Sequence, residues 1–300
     1  MAESTYEERF GRASRRLRRG WRRLRWGVKG ALGRPPHVVV EVKWRLGDEV
    51  MALPIYGALR DAYPGCRLTV LCNYPELLAG NPFVDTVNEP AGPVDRYVLL
   101  RSAPRDVYRP EHYARLAGVS LPSERPRLHH DDWSTPLLDG LRAPLVAMAA
   151  GASWATKRWP LERWRSVGRA LQQKGFAVIE LGIAGEGVGV GVDLAGKTSV
   201  REAACVLHAC DLLVCCDSGL MHLALAAGTR VLALFGPTDP AILVRDEPNL
   251  SALCSPAPCQ GCWNRPETTA APGVCPEGRP CCLESIATEV VLEQAEKLLG

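Results

Sequence analysis

Short apolar runs alternate with amphipathic stretches along most of this chain of 300 residues. Apolar runs of about four to eight residues, bounded by turn-forming residues, are typical of buried parallel strands. Apolar residues that recur every three or four positions are typical of helices that bury one face. The pattern predicts strands at 37–42, 67–72, 94–100, 143–150, 176–182, 212–216 and 231–235. It predicts helices at 49–64, 109–118, 160–175, 199–210, 219–227 and 287–299.

These strands and helices fall into two series, which predicts an α/β protein of two domains. The first series covers 35–121 and the second 144–300, and the proline- and charge-rich stretch 122–143 is the predicted linker. Alternating β-α units form doubly wound sheets that bind ligands at the carboxyl ends of their strands. We therefore expect two Rossmann-like domains that face each other across a cleft, the first of them short.

The first 34 residues differ in charge from the rest of the chain. They carry 11 Lys/Arg and 3 Glu, a net charge of +8, which leaves 25 basic and 30 acidic residues elsewhere, a net charge of −5. Between the arginines, apolar side chains recur at helical spacing, at Phe10, Leu17, Trp21, Leu24, Val28 and Leu32. This pattern favours a helix lying on an anionic membrane surface. A disordered basic arm and a nucleic-acid contact are the alternatives, and we expect no nucleic-acid partner.

The sequence also bears on where the protein works. No stretch is long and apolar enough to span a bilayer, and the first residues lack the apolar core of a secretory signal. We therefore expect a cytoplasmic protein, peripheral on the inner face of the membrane. In that compartment the 12 cysteines are expected to be thiols or metal ligands, with disulfides disfavoured.

The stretch 212–240 concentrates chemistry at one rim of the second predicted sheet. The strand 212–216 stops at Asp217, Ser218 follows as a good N-cap, and the helix after it carries His222. The strand 231–235 ends in a turn that carries Thr238. Helix N-termini at such a rim bind anions. The alternative is an ordinary capped helix with a surface histidine.

Two further strings follow predicted strands and belong at the same cleft. In KWRLGDEVMALP, Gly47 allows a tight turn, and Asp48 is either an N-cap or a general base aimed into the cleft. In GASWATKRWP, Ser153, Thr156 and Lys157 can all donate hydrogen bonds to a diphosphate. The glycines of 182–196 do not have the GxGxxG spacing, and no GxxxxGK[ST] phosphate loop is present.

The strings RLGDEVMALPIYGALRDAYP, GASWATKRWP and DSGLMHLALAAGTRVLALFGPTDP resemble the signature segments of glycosyltransferase family 9, the ADP-heptose heptosyltransferases. They occur in the family's order, from about Val38 to the C-terminus. The resemblance implies a GT-B fold and an inverting sugar transfer that needs no catalytic metal. It also implies that the second domain binds the donor nucleotide and the first domain the acceptor.

The resemblance assigns roles to individual residues. Asp48 matches the catalytic base, Lys157 matches the residue on the donor diphosphate, and Glu186 matches an acid on the ribose. With the hydroxyls and the helix start described above, the expected donor-binding set is Ser153, Thr156, Lys157, Glu186, Asp217, Ser218, Gly219, His222 and Thr238. An inverting transfer needs a base for the acceptor hydroxyl and cations or N–H donors for the leaving diphosphate, which this set supplies.

The stretch 254–282 is rich in cysteine. Cys259 and Cys262 form a CxxC pair, and Cys275 and the pair Cys281–Cys282 follow. This spacing suits a structural site of four thiolates, with zinc the default metal and iron the alternative. Similar loops occur in parts of family 9, and the match favours Cys282 over Cys281 as the fourth ligand. The alternative is a loop of free thiols.

The function predicted from the sequence is an inverting transfer of a sugar, heptose by resemblance, from a nucleotide-activated donor such as ADP-heptose. The expected acceptor is a lipopolysaccharide-type, lipid-linked saccharide. A protein-modifying heptosyltransferase and a non-catalytic nucleotide-sugar-binding GT-B protein are the alternatives. The short first domain leaves the acceptor unspecified, because that domain is the acceptor side.

Overall fold

The structure, a computed structural model, describes residues 34–121, 125–142, 144–265, 267–268, 271–278 and 281–300. Its framework is two parallel sheets, one of four strands and one of six. Apolar side chains from both sheets share one core cluster, and a second cluster covers the opposite face of the six-stranded sheet. The α/β class expected from the sequence is confirmed.

The first sheet contains β1 (His37–Val42), β2 (Arg67–Cys72), β3 (Thr86–Val87) and β4 (Arg96–Leu99), in the order β3-β2-β1-β4. Its helices are α1 (Leu46–Val50), α2 (Leu53–Ala62) and α3 (Arg109–Ala117). The alternate residues Val38, Val40 and Val42 of β1 enter the core with α2. Helix α3 ends at Gly118, which adopts the left-handed conformation (φ 66°) that ends many helices.

The second sheet contains β5 (Leu145–Ala149), β6 (Ala177–Glu180), β7 (Val192–Asp193), β8 (Leu212–Cys216), β9 (Val231–Phe235) and β10 (Leu250–Cys254). Its helices are α4 (Leu161–Gln173), α5 (Val200–Ala209), α6 (Gly219–Ala227), α7 (Pro240–Leu243) and α8 (Thr288–Leu299). The strand order is β10-β9-β8-β5-β6-β7, so the winding reverses between β5 and β8. In open α/β sheets this reversal opens a crevice that binds ligands.

The predicted helix over 49–64 is wrong in one respect, because the structure divides it into α1 and α2. Pro54 stands in the first turn of α2, where its missing N–H is not needed. Asp48 is therefore not an N-cap: it lies inside α1, and Arg45 occupies the N-cap position.

Four elements have no counterpart among the predicted ones: β3, β7, β10 and α7. Strands β3 and β7 contain two residues each, too few for a pattern to show. Strand β10 lies at the sheet edge and is partly exposed, so it lacks the continuous apolar run of its neighbours.

The predicted linker packs against the second domain. Leu128 is buried, and its N–H donates to the carbonyl of Ala226 at the end of α6. Trp133 stacks between His130 and His208, with ring centroids 4.7 and 4.2 Å apart. These contacts fix the chain between the two sheets.

Among the helices within the described ranges, none combines the length and the apolar character needed to cross a bilayer. The predicted membrane-surface helix falls almost wholly in residues 1–33, which lie outside the described residues.

Candidate active site

Three side chains meet at the crevice where the second sheet reverses. Lys157 follows β5, Asp217 follows β8 and Thr238 follows β9. The Lys157 Nζ lies 2.5 Å from Asp217 Oδ2, and the Thr238 hydroxyl donates to the same oxygen at 2.8 Å. Asp217 and Thr238 are buried, so the carboxylate is compensated inside the protein by one ammonium and one hydroxyl.

The Asp217 carboxyl is charged despite its burial. Burial acts to raise its pKa, but the Lys157 ammonium, its hydrogen bond and that of Thr238 outweigh burial and lower the pKa below its ordinary value. The Lys157 ammonium has three donors. Bonding to Asp217 therefore leaves donors for an anion in the crevice.

Ser218 occupies the N-cap position of α6, as expected, but its side chain makes no capping hydrogen bond. Its hydroxyl oxygen is buried and has no hydrogen-bond partner among the described residues. Because a buried polar atom without a partner is costly, this hydroxyl beside the helix N-terminus suits a ligand oxygen.

Asp48 approaches from the first domain. Its Oδ1 lies 2.8 Å from Arg109 Nη1 at the start of α3, and both side chains are mostly buried. The guanidinium fixes the orientation of the carboxylate. Arg109 was not predicted as a site residue, because nothing in the sequence around it points to Asp48.

His222 lies on α6, against which α1 packs, and it is within electrostatic range of both acidic groups. It is buried, which corrects the alternative of a surface histidine. Burial lowers its pKa, the carboxylates of Asp217 and Asp48 oppose that shift, and the cations Arg109 and Lys157 add to it. Asp48 and Asp217 thus act on one imidazole from opposite domains.

The domains meet at this point because two glycines leave room. Helix α1 packs on α6, and a Cβ at Gly47 would lie 2.8 Å from the His222 ring. A Cβ at Gly219 would lie 3.1 Å from Leu46.

The other hydroxyls of the GASWATKRWP string take different positions. Ser153 is exposed and accepts a hydrogen bond of 2.9 Å from Arg45 Nη1 of the first domain. Thr156 is buried beside Lys157 in a single 3₁₀ turn.

Glu186 lies at the ends of β5 and β6. Its carboxylate accepts a hydrogen bond from the N–H of Ile183 and occupies the space where a Cβ of Gly151 would stand. Among the described residues, Glu186 makes no hydrogen bond or ion pair with Lys157 or Asp217. Its assignment to the ribose stays a prediction.

Two buried glutamates, which were not among the predicted site residues, shape the loops of the crevice. Glu180 accepts four backbone N–H bonds from 188–191 and so folds the glycine-rich loop. Glu49 accepts backbone N–H bonds from Trp44, Asn73 and Tyr74 after β1 and β2. Burial raises the pKa of Glu49 against the effect of these bonds. A lone glutamate carries no sequence signal for this role.

The cysteine-rich loop packs behind Thr238. Burial raises the pKa of the Cys282 thiol to about 11, and the electrostatic influence of Cys259, Cys262 and Cys275 adds to the shift. Within the described ranges, however, no three His, Cys, Asp or Glu side chains are grouped so that they could hold a metal ion. The described cysteines of this loop therefore do not form a coordination sphere.

The chain is similar in sequence and in fold to known glycosyltransferases. The model of glycosyltransferase family 9 (heptosyltransferase) matches residues 86–271. Lipooligosaccharide heptosyltransferase 2 of Haemophilus influenzae is 35% identical over 112 residues, 32% of this chain and 32% of that protein. The match therefore spans about a third of the length of that curated relative.

Two solved structures share the fold. ADP-heptose LPS heptosyltransferase II of E. coli superposes with a TM-score of 0.68 at 19% identity, covering 88% of this chain and 98% of that one. The iron-containing dodecameric glycosyltransferase TibC from enterotoxigenic E. coli H10407 superposes with a TM-score of 0.69 at 18% identity, covering 88% and 76%.

Proposed function

The chain belongs to glycosyltransferase family 9, and from this premise we propose that it transfers a heptose from ADP-heptose to a lipopolysaccharide-type saccharide, with inversion at the sugar carbon. Its two facing α/β domains have the GT-B fold. The observation that carries the proposal is the packing of α1, which carries Asp48, against α6, which begins beside the Lys157–Asp217 ion pair.

Asp48 is the proposed base. An acceptor hydroxyl must lose its proton as it attacks the sugar carbon, and a carboxylate fixed by Arg109 on the acceptor side is suited to accept it. His222 is a weaker candidate, because it is a residue of α6 whose ring is packed against α1 with little exposure.

The leaving diphosphate needs positive charge and donors already in place. The Lys157 ammonium, the N–H groups at the start of α6 and the unpartnered hydroxyl of Ser218 are the proposed donors. The Thr238 hydroxyl donates its proton to Asp217 and so helps to hold that carboxylate in place. Asp217 holds the ammonium at the crevice. This arrangement supports transfer without a catalytic metal.

The direct test is the release of ADP from ADP-heptose with and without a lipopolysaccharide core saccharide. We expect ADP release to depend on the acceptor and on the heptose, with ADP-glucose as the matched donor control. If ADP were released only with a protein acceptor, the acceptor would be a protein and not a saccharide. Tight donor binding without ADP release in any arm would support the non-catalytic alternative and contradict the proposal.

We also propose a structural metal, iron or zinc, held by Cys259, Cys262, Cys275 and Cys282. The support is the spacing of the four cysteines along the chain, the electrostatic influence of the other three thiols on Cys282 and the fold shared with TibC, an iron-containing glycosyltransferase. Metal binding would have to draw the thiols together, because a tetrahedral site needs all four sulfurs within about 2.3 Å of the metal ion. Four protein ligands would leave no position for substrate, so the role is structural.

We further propose that residues 1–34 bring the protein to an anionic membrane surface. The support is the charge of +8 on this segment, its apolar stripe and the lipid-linked acceptor expected for the family.

A further inference from the structure

Two tryptophans connect the cysteine-rich loop to Lys157. The ring of Trp154 lies under the Lys157 Nζ, with 4.4 Å from nitrogen to ring centroid. Trp263 packs edge-to-face on Trp154, with centroids 4.8 Å apart at 73°. The Arg105 guanidinium of the first domain lies over Trp263 at 5.0 Å. A continuous row of cation, ring, ring and cation therefore runs from the first domain to the crevice.

Trp263 is held firmly by the loop that carries it. Its backbone N–H donates to the carbonyl of Pro237 at 2.8 Å, and the Gln260 side chain donates to the carbonyl of Thr238 at 3.0 Å. The buried Asn264 accepts from the N–H of Asp239 at 2.8 Å and donates to the carbonyl of Arg105. The loop is thus attached both to the turn that carries Thr238 and to the first domain.

We propose that Trp263 is a positioning residue for donor binding, which acts through Trp154 to hold the Lys157 ammonium at the crevice. The proposal rests on the proposed function, in which Lys157 binds the donor diphosphate. A lysine has a flexible four-carbon stem, and an aromatic face below its ammonium restricts it, more strongly where water is excluded. Lys157 is only 14% exposed. The edge-to-face contact with Trp263 supports the Trp154 ring in this position.

A merely structural role for Trp263, as an anchor of its own loop, predicts a different result. Loss of an anchor would weaken ADP binding whether or not Lys157 is present. Loss of a lysine-positioning contact would weaken binding only when Lys157 is there to be positioned. A double-mutant cycle between Trp263 and Lys157 separates the two roles.

The experiment measures ADP binding to the full chain by calorimetry. Trp263→Leu, which keeps apolar volume without an aromatic ring, should raise the dissociation constant about tenfold, and Trp263→Phe should restore most of the affinity. In a Lys157→Ala background, Trp263→Leu should raise the dissociation constant of ADP by less than about twofold. The matched control is Trp133→Leu, which removes a tryptophan that also stacks between two rings but lies outside the site; it should leave ADP affinity unchanged.

An equal loss of affinity in both backgrounds, or none in either, would overturn the proposal. If Trp263→Leu fails to fold, the same cycle is run with Trp154→Leu, whose ring contacts Lys157 directly. Pyrophosphate serves as a second probe. If the wild-type protein binds pyrophosphate but not ADP, the nucleotide of the proposed function is contradicted. The double-mutant cycle is then measured with pyrophosphate, and its result still tests the role of Trp263. A wild type that binds neither refutes both.

Discussion

At the scale of single residues, the site depends on buried charges that compensate one another. Asp217 retains its charge because Lys157 and Thr238 bind one of its oxygens, and Asp48 is oriented by Arg109. Removing one member of such a pair leaves the other buried and uncompensated, which costs more than the pair contributes. Substitutions at these positions therefore need readouts that separate binding, catalysis and stability.

The lowered pKa of Asp217 makes stability depend on pH. A carboxyl whose pKa is lower in the folded than in the unfolded state stabilises the fold above its ordinary pKa, and this contribution disappears as the pH falls through the lowered value. We expect Asp217→Asn to lower the free energy of unfolding at pH 7 by on the order of 1–3 kcal/mol. The loss of stability in acid should become shallower, as measured by urea unfolding across pH. The exposed Asp61 is the control, and equal pH slopes for wild type and Asp217→Asn would contradict the prediction.

Asp48→Asn tests the base. It preserves shape and the contact with Arg109 but cannot accept a proton, so kcat should fall by about 10²–10⁴-fold. The dissociation constant of ADP should change less than about twofold, since Asp48 lies on the acceptor side. If affinity falls as far as kcat, Asp48 acts in positioning α1 and not as a base.

At the scale of elements, the site is formed by the packing of α1 on α6. The close approach of these helices depends on Gly47 and Gly219 having no side chain. The same contact places His222 between the domains. The interdomain geometry is therefore sensitive to single methyl groups.

Gly47→Ala should disturb this contact. Its Cβ would lie 2.8 Å from His222 Cδ2, a distance at which one of the helices must shift. We expect a loss of about 1–3 kcal/mol in stability from overpacking and a lower kcat. The control is Gly57→Ala in α2, remote from α6. Its new Cβ would lie 3.3 Å from the edge of the Phe83 ring. A Gly47→Ala enzyme with wild-type stability and kcat would show that the helices do not determine the alignment.

The cysteine-rich loop should hold metal in the purified protein. We expect elemental analysis, without added metal, to find about one zinc or iron per chain. Cys259→Ser should remove that metal, whereas Cys254→Ser, an exposed cysteine outside the set, should retain it. Less than about 0.1 metal per chain in the wild type would refute the site.

At the scale of the whole molecule, basic charge is concentrated in the first 34 residues of a chain that is otherwise mildly acidic. Membrane attraction should then come from this segment alone. In the full chain, replacing Arg15, Arg16, Arg18 and Arg19 with Gln should weaken binding to anionic vesicles at least about tenfold, since each basic residue near the surface contributes about 1 kcal/mol.

Wild-type binding to those vesicles should also fall with added salt, because counterions screen the attraction. Vesicles of neutral lipid are the control. Undiminished vesicle binding by the Gln variant would place the contact elsewhere.

The sequence by itself determined the types of the longer elements, the α/β class and the strings that meet at the crevice. It could do so because strand and helix patterns, caps and turns are local properties of the chain. Asp217, Ser218 and Thr238 were found because each follows a buried strand, and parallel strands present their carboxyl ends at one rim. The Cys pattern is visible for the same reason, as spacing along the chain.

Only the tertiary structure decided which side chains pair. Lys157 bonds to a carboxylate 60 residues away, and Asn264 to a carbonyl 159 residues away. Arg109, Glu49 and Glu180 make contacts at the crevice that no local pattern encodes, and no local pattern encodes the proposed role of Trp263 either, because each depends on a partner brought near by sheet order and helix packing. The division of the predicted helix at Pro54 is the intermediate case: the proline was visible, but the position of Asp48 relative to His222 follows from how α1 packs on α6.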